Sequence, residues 1–153
     1  MMKELHDLRL RQRLIDRLYT DAMLLADEAR SYFDEGGQAE RDALSPLTRV
    51  AFSCESLKVT TRLMHVIAWL LTQRAVMAGE LPMRDALDPS RRLGDAPVSD
   101  HAVLADLPRS ALALVGASED LHRRVARLDR AQVAPTRVES PARSMQDRLA
   151  TAF

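Results

Sequence analysis

Cys54 and His65 are the residues whose types could do covalent chemistry together, because a thiol becomes a useful nucleophile beside a base. On one helix they stand eleven residues apart, about 16 Å along the axis, so they cannot form a dyad within one chain. Cys54 also falls on an apolar stripe, where a cysteine is expected to be a small buried hydrophobe. His6, His65, His101 and His122 lie in separate segments without the paired spacing of a zinc site. Gly36, Gly37, Gly79, Gly94 and Gly116 are scattered, so no glycine-rich loop can cradle a phosphate. Ser53 and Ser56 precede Lys58, but neither stands three residues before it, as a serine acyl-enzyme requires. The carboxylates, as in DEARSYFDE, follow a solvated pattern. The expectation is a protein that is not an enzyme, with no catalytic, cofactor-binding or metal residues.

Charge and composition narrow the class further. Lys plus Arg and Asp plus Glu number 22 each, so no overall field favours nucleic acid or an anionic membrane. A single cysteine cannot make an internal disulfide, which fits a reducing cytoplasm. Charge interrupts every short apolar run of MMKELHDLRLRQRLIDR, and the longest apolar run, LMHVIAWLL, is about half a bilayer span. A cytoplasmic protein that binds neither nucleic acid nor membrane is expected.

These residues must be positioned by helices. Aromatics are 4% of the chain and charged residues 29%, the balance of a helical bundle rather than a sheet. The spacing predicts an all-α fold, a three-helix bundle with long helices at about 5–34, 46–78 and 108–130. Residues 1–130 form the bundle, a proline-rich connection joins the second and third helices, and 131–153 form a flexible C-terminal tail. Ser45-Pro46 opens the second helix and Gly79 closes it. Gly116 lies inside the third helix, which points to close packing there.

The second helix has more than one apolar face. Leu47, Val50, Cys54, Leu57, Thr61, Met64, Ala68, Leu71 and Ala75 recur three and four apart and read as the main core stripe. Phe52, Val59, Leu63, Val66 and Leu70 form a second stripe roughly opposite. It faces either another helix of the same chain or the seam of a two-fold dimer. Ser53, Ser56 and Thr60 make a narrow strip of small side chains that either is ordinary solvated surface or would let another helix approach closely. Glu55, Lys58, Arg62, His65 and Trp69 share one mixed-charge edge. That edge is either solvated and salt-bridged or a strip that anchors a partner protein. HRRVARLDR complements the C-terminal dipole of the third helix and could also dock an acidic partner. In the tail, Met145, Leu149 and Phe153 stand four apart and could fold into an apolar ridge on contact.

The segment LTRVAFSCESLKVTTRLMHVIAWLLTQRAVMAGE resembles the regulator of CtrA degradation family of alphaproteobacteria, the RcdA-like proteins. Weaker likeness continues in DAMLLADEARSYFD and LPRSALALVGASEDLHRRVARLDR. The resemblance implies a dimeric three-helix bundle acting as an adaptor for the ClpXP protease and its primer protein, with cell-cycle regulators as cargo. A structural dimerisation or scaffold module with no protease link is the alternative.

Overall fold

Charged residues interrupt the apolar pattern of the first thirty residues without breaking its period. They form one helix, α1 (Met2–Ser31), which buries Ile15, Leu18, Ala22 and Ala29. The structure is a computed structural model and describes residues 1–133 and 141–151. A π-helical turn at Tyr32–Gly36 ends α1 and leads into the short α2 (Gln38–Asp42). Gly37 lies against Tyr32 so closely that a Cβ would sit 2.8 Å from the Tyr32 carbonyl oxygen.

Ser45 caps α3 (Pro46–Met77), its hydroxyl accepting the Thr48 N–H at 3.4 Å, with Pro46 in the first turn. Gly79 turns the chain out of α3 at φ +75°, a left-handed conformation that favours glycine. The connection holds α4 (Met83–Ala86) and two short 3-10 turns, Pro89–Arg91 and Val103–Asp106. Then come α5 (Arg109–Val133) and α6 (Pro141–Thr151).

The direction of the helices explains the long connection. α1 runs antiparallel to α3: Phe33 packs on Phe52 with ring centroids 5.3 Å apart, and Arg11 donates to Gln73 at 3.0 Å toward the other end. α5 runs parallel to α3, since Arg62 reaches Ser118 while Trp69 reaches Asp129. A parallel neighbour requires the chain to travel back the length of α3, about 48 Å. Residues 79–108 make this return as a strap along the α3–α5 seam, burying Ala86, Leu104 and Leu107.

The expected all-α bundle of long helices is therefore the fold, but α3 is turned the other way. Phe52, Val59, Leu63, Val66 and Leu70 are at most 2% exposed and form the core with Ala111, Leu114, Val115 and Val125 of α5. This stripe packs within the chain, so it is not a dimer seam. The stripe expected to be the core faces out: Leu47 is 82% exposed, Leu57 68% and Met64 64%. Cys54 is exposed with them, contrary to its expected burial. Gly116 also departs from expectation, because nothing lies within 4 Å of where its Cβ would be.

Candidate functional site

The mixed-charge edge of α3 turns inward. Glu55, Arg62 and Trp69 are 4%, 2% and 2% exposed. The Arg62 guanidinium donates to the Pro97 carbonyl at 2.9 Å, to the Ser99 hydroxyl at 2.5 Å and to the Ser118 hydroxyl at 3.3 Å. Ser99 donates in turn to Glu55 Oε2, and Lys58 Nζ donates to Glu55 Oε1 at 3.0 Å. Ser118 in turn donates a hydrogen bond to the Val115 carbonyl at 2.8 Å. A hydroxyl of the strap thus bridges a buried cation and a buried anion, and each charge is offset where water cannot reach it.

Two turns further along, Asp129 gathers the other end of the strap. The Trp69 indole donates to its Oδ1 at 2.9 Å, Arg92 donates to both carboxylate oxygens at 2.7 and 2.9 Å, and the Leu93 N–H reaches Oδ1 at 3.4 Å. Burial pushes the Asp129 carboxyl up, but the hydrogen bonds from Arg92, Trp69 and Leu93 outweigh it and hold the group below its usual range. His122 lies 3.3 Å from the Gly94 carbonyl. Burial lowers its pKa first, and the nearby His65 and Arg62 lower it further.

The strip expected to anchor a partner is therefore the frame that seats the strap. Lys58 and His65 keep partial exposure, while Glu55, Arg62 and Trp69 are closed off. Ser99, Ser118 and Asp129 could not be paired from the sequence because they stand between 37 and 60 residues from the α3 groups they serve, and Arg92 reaches the edge only through Asp129. The available signal was the pairing rule itself, since buried charges on α3 demand distant partners.

Asp129 also gives the fold an acid limb. Its folded pKa lies below the unfolded value, which is about 3.9. Its stabilisation is complete above the unfolded pKa and is lost as pH falls through the lower folded one. Asp129→Asn is expected to lower Tm at neutral pH and to flatten the loss of Tm below about pH 4. Circular dichroism melts across that range check both effects, and an unchanged acid limb would assign it to other carboxylates.

The outer face of α3 is exposed and largely apolar. Leu47, Val50, Leu57, Met64 and Leu71 run along it. Thr60, Thr61 and Thr72 turn their hydroxyls back onto carbonyls of their own helix at 2.9 to 3.0 Å, which makes the face more apolar than its residue names imply. Ser56 and Thr60 line a groove of about 390 Å³ between α1 and α3, floored by Ala29, Phe33 and Leu63. On α6, Met145 and Leu149 are exposed four residues apart, while Phe153 lies outside the described residues.

No group of side chains among the described residues could hold a metal ion, and no helix there is long and apolar enough to cross a membrane. These features define an all-α bundle of three long helices, locked by a polar strap and left apolar on one outer face. The chain belongs to the RcdA-like family, described as protein of unknown function DUF1465, whose family model matches residues 7–153. Among solved structures, that of RcdA from Caulobacter crescentus CB15 is similar at 34% identity and a TM-score of 0.66, over 80% of this chain and 93% of that one. No curated protein matches the chain.

Proposed function

We propose that this protein is a non-enzymatic adaptor that brings cargo, cell-cycle regulators in particular, to the ClpXP protease and its primer protein. Its membership of the RcdA-like family supports this reading. The structural observation that carries it is the outer stripe of α3, a long apolar face left exposed among the described residues. In this reading the stripe is the seam of a cytoplasmic homodimer. Lys58 and His65 beside the strap, together with the α6 ridge of Met145, Leu149 and Phe153, meet other components. Weak contacts on separate surfaces then add up, because tethering raises the local concentration of cargo at the protease.

Turnover of candidate cell-cycle cargo by reconstituted ClpXP with its primer, with and without this protein, tests the adaptor. Acceleration that scales with its concentration supports the reading; copurification with neither protease nor cargo would leave a scaffold module. The seam is tested separately. Leu57→Asp with Met64→Asp places four charges in a two-fold interface and is expected to weaken dimerisation by at least about a hundredfold. Both side chains are exposed in the single chain, so helicity and monomer stability should change little. Sedimentation velocity reads the result, and an intact dimer would move the seam off this face.

A further inference from the structure

A groove of about 490 Å³ runs between the C-terminal half of α5 and the strap. Arg123, Arg127 and Arg130 line one wall and Leu93, Gly94 and Asp95 the other. The arginines are four and three residues apart, so they share one edge of α5. Arg123 pairs with Asp120. Arg127 and Arg130 are exposed, and neither has a hydrogen bond or ion pair with any of the described residues. Asp129 cannot neutralise them, because its carboxylate is occupied by Arg92 and Trp69. The dipole at the end of α5 accounts for a preference for cations there, but not for an open channel beside them.

The opposite wall is exposed main chain. Residues 93–100 form neither helix nor strand. The N–H groups of Gly94 and Asp95 donate to no acceptor among the described residues. Gly94 has nothing within 4 Å of a Cβ position, so its backbone is open to a visitor.

We propose that this groove binds an extended acidic segment of a partner protein. Its main chain pairs with the strap at Gly94 and Asp95, and its carboxylates meet Arg127 and Arg130. Alternate side chains of an extended peptide fall on one side about 7 Å apart, within reach of two guanidinium groups one helical turn apart. The favoured pattern is therefore an acid at every second residue. Planar guanidinium groups suit carboxylates through paired hydrogen bonds. A continuous polyanion such as DNA is disfavoured, since the chain has no net charge and so no extended field to hold one. The groove shares no residue with the outer face of α3 or with α6, so it stands independently of the adaptor reading.

Fluorescence anisotropy of a labelled Ala-Glu-Ala-Glu-Ala-Glu peptide with the full chain tests the proposal. Saturable binding that weakens as salt rises is expected. Arg127→Glu with Arg130→Glu should weaken it at least about tenfold, since two charge-assisted contacts become repulsive. Arg9→Glu with Arg13→Glu, on exposed α1 positions, should leave it within about twofold, with melting curves confirming that both variants fold. Amide shifts on peptide addition should centre on Gly94 and Asp95. The proposal is overturned by no saturable binding below about 1 mM, by an unchanged affinity in the α5 variant, by shifts centred elsewhere, or by equally tight binding of duplex DNA.

Discussion

Arg62→Met is expected to destabilise the fold by about 3–5 kcal/mol, the range for removing one member of a buried charged network, with a fall in Tm of roughly 10 °C. Methionine would fill much of the space but donate nothing. The Pro97 carbonyl and the Ser99 and Ser118 hydroxyls would lose their donor, and Glu55, 4% exposed, would keep only Lys58 as a nearby cation. The strap is held to α3 through these bonds, so the damage should concentrate there. Ser99→Ala removes the bridge while leaving both charges and should cost about 1–3 kcal/mol. Urea unfolding separates the cases: a lower midpoint at constant slope means a weaker but still cooperative fold, whereas a shallower slope means that the strap has come away on its own. A loss below about 1 kcal/mol for Arg62→Met would show that the network is replaceable by packing.

Trp69→Ala is expected to cost about 3–5 kcal/mol, because a large buried ring leaves a cavity that the helices cannot close. It would also take away one of the donors to Asp129, although Arg92 and Leu93 remain. Trp69→Phe isolates that second contribution. It retains most of the apolar area and should cost about 1–3 kcal/mol, set by the lost hydrogen bond and the imperfect fit. Calorimetry or urea unfolding measures both. Trp69 is the single tryptophan of the chain, so the wild type supplies its own check: its emission should be blue-shifted when folded and red-shifted when unfolded. Emission at the solvated position in the native protein would contradict the packing described.

The all-α class was legible because helical period survives interruption by charge, as in α1. Ser45-Pro46 and Gly79 were legible at the ends of α3 because capping and left-handed turns are local. The inner face of α3 was not. Counting apolar residues favoured Leu47, Val50, Leu57 and Met64, yet the buried side carries Glu55, Arg62 and Gln73 among its apolar residues. Polar groups can lie inside only when others satisfy them, and most of those others belong to the strap and α5, with Arg11 of α1 serving Gln73. Local periodicity has no access to partners that arrive from Pro97, Ser99, Ser118 or Asp129. The exposed apolar face misled for the complementary reason: a surface suited to another molecule has the composition of a core. The burial of Glu55, Arg62 and Trp69 on the mixed-charge edge was hidden for the same reason, since Arg and Trp are residue types of interfaces and also of satisfied interiors.

The parallel course of α3 and α5 has a consequence for how the chain acquires its shape during synthesis. α1 and α3 are antiparallel and joined by a short segment, so they can pair as soon as both have emerged. Joining α3 to α5 means first closing a loop of about thirty residues, which delays the contact. Between those moments Glu55, Arg62 and Trp69 lie on an open flank of a half-built molecule. A nascent chain therefore passes through a stage in which its polar interior is an outside surface, and during that interval a ribosome-bound chaperone would meet a face that the finished protein conceals.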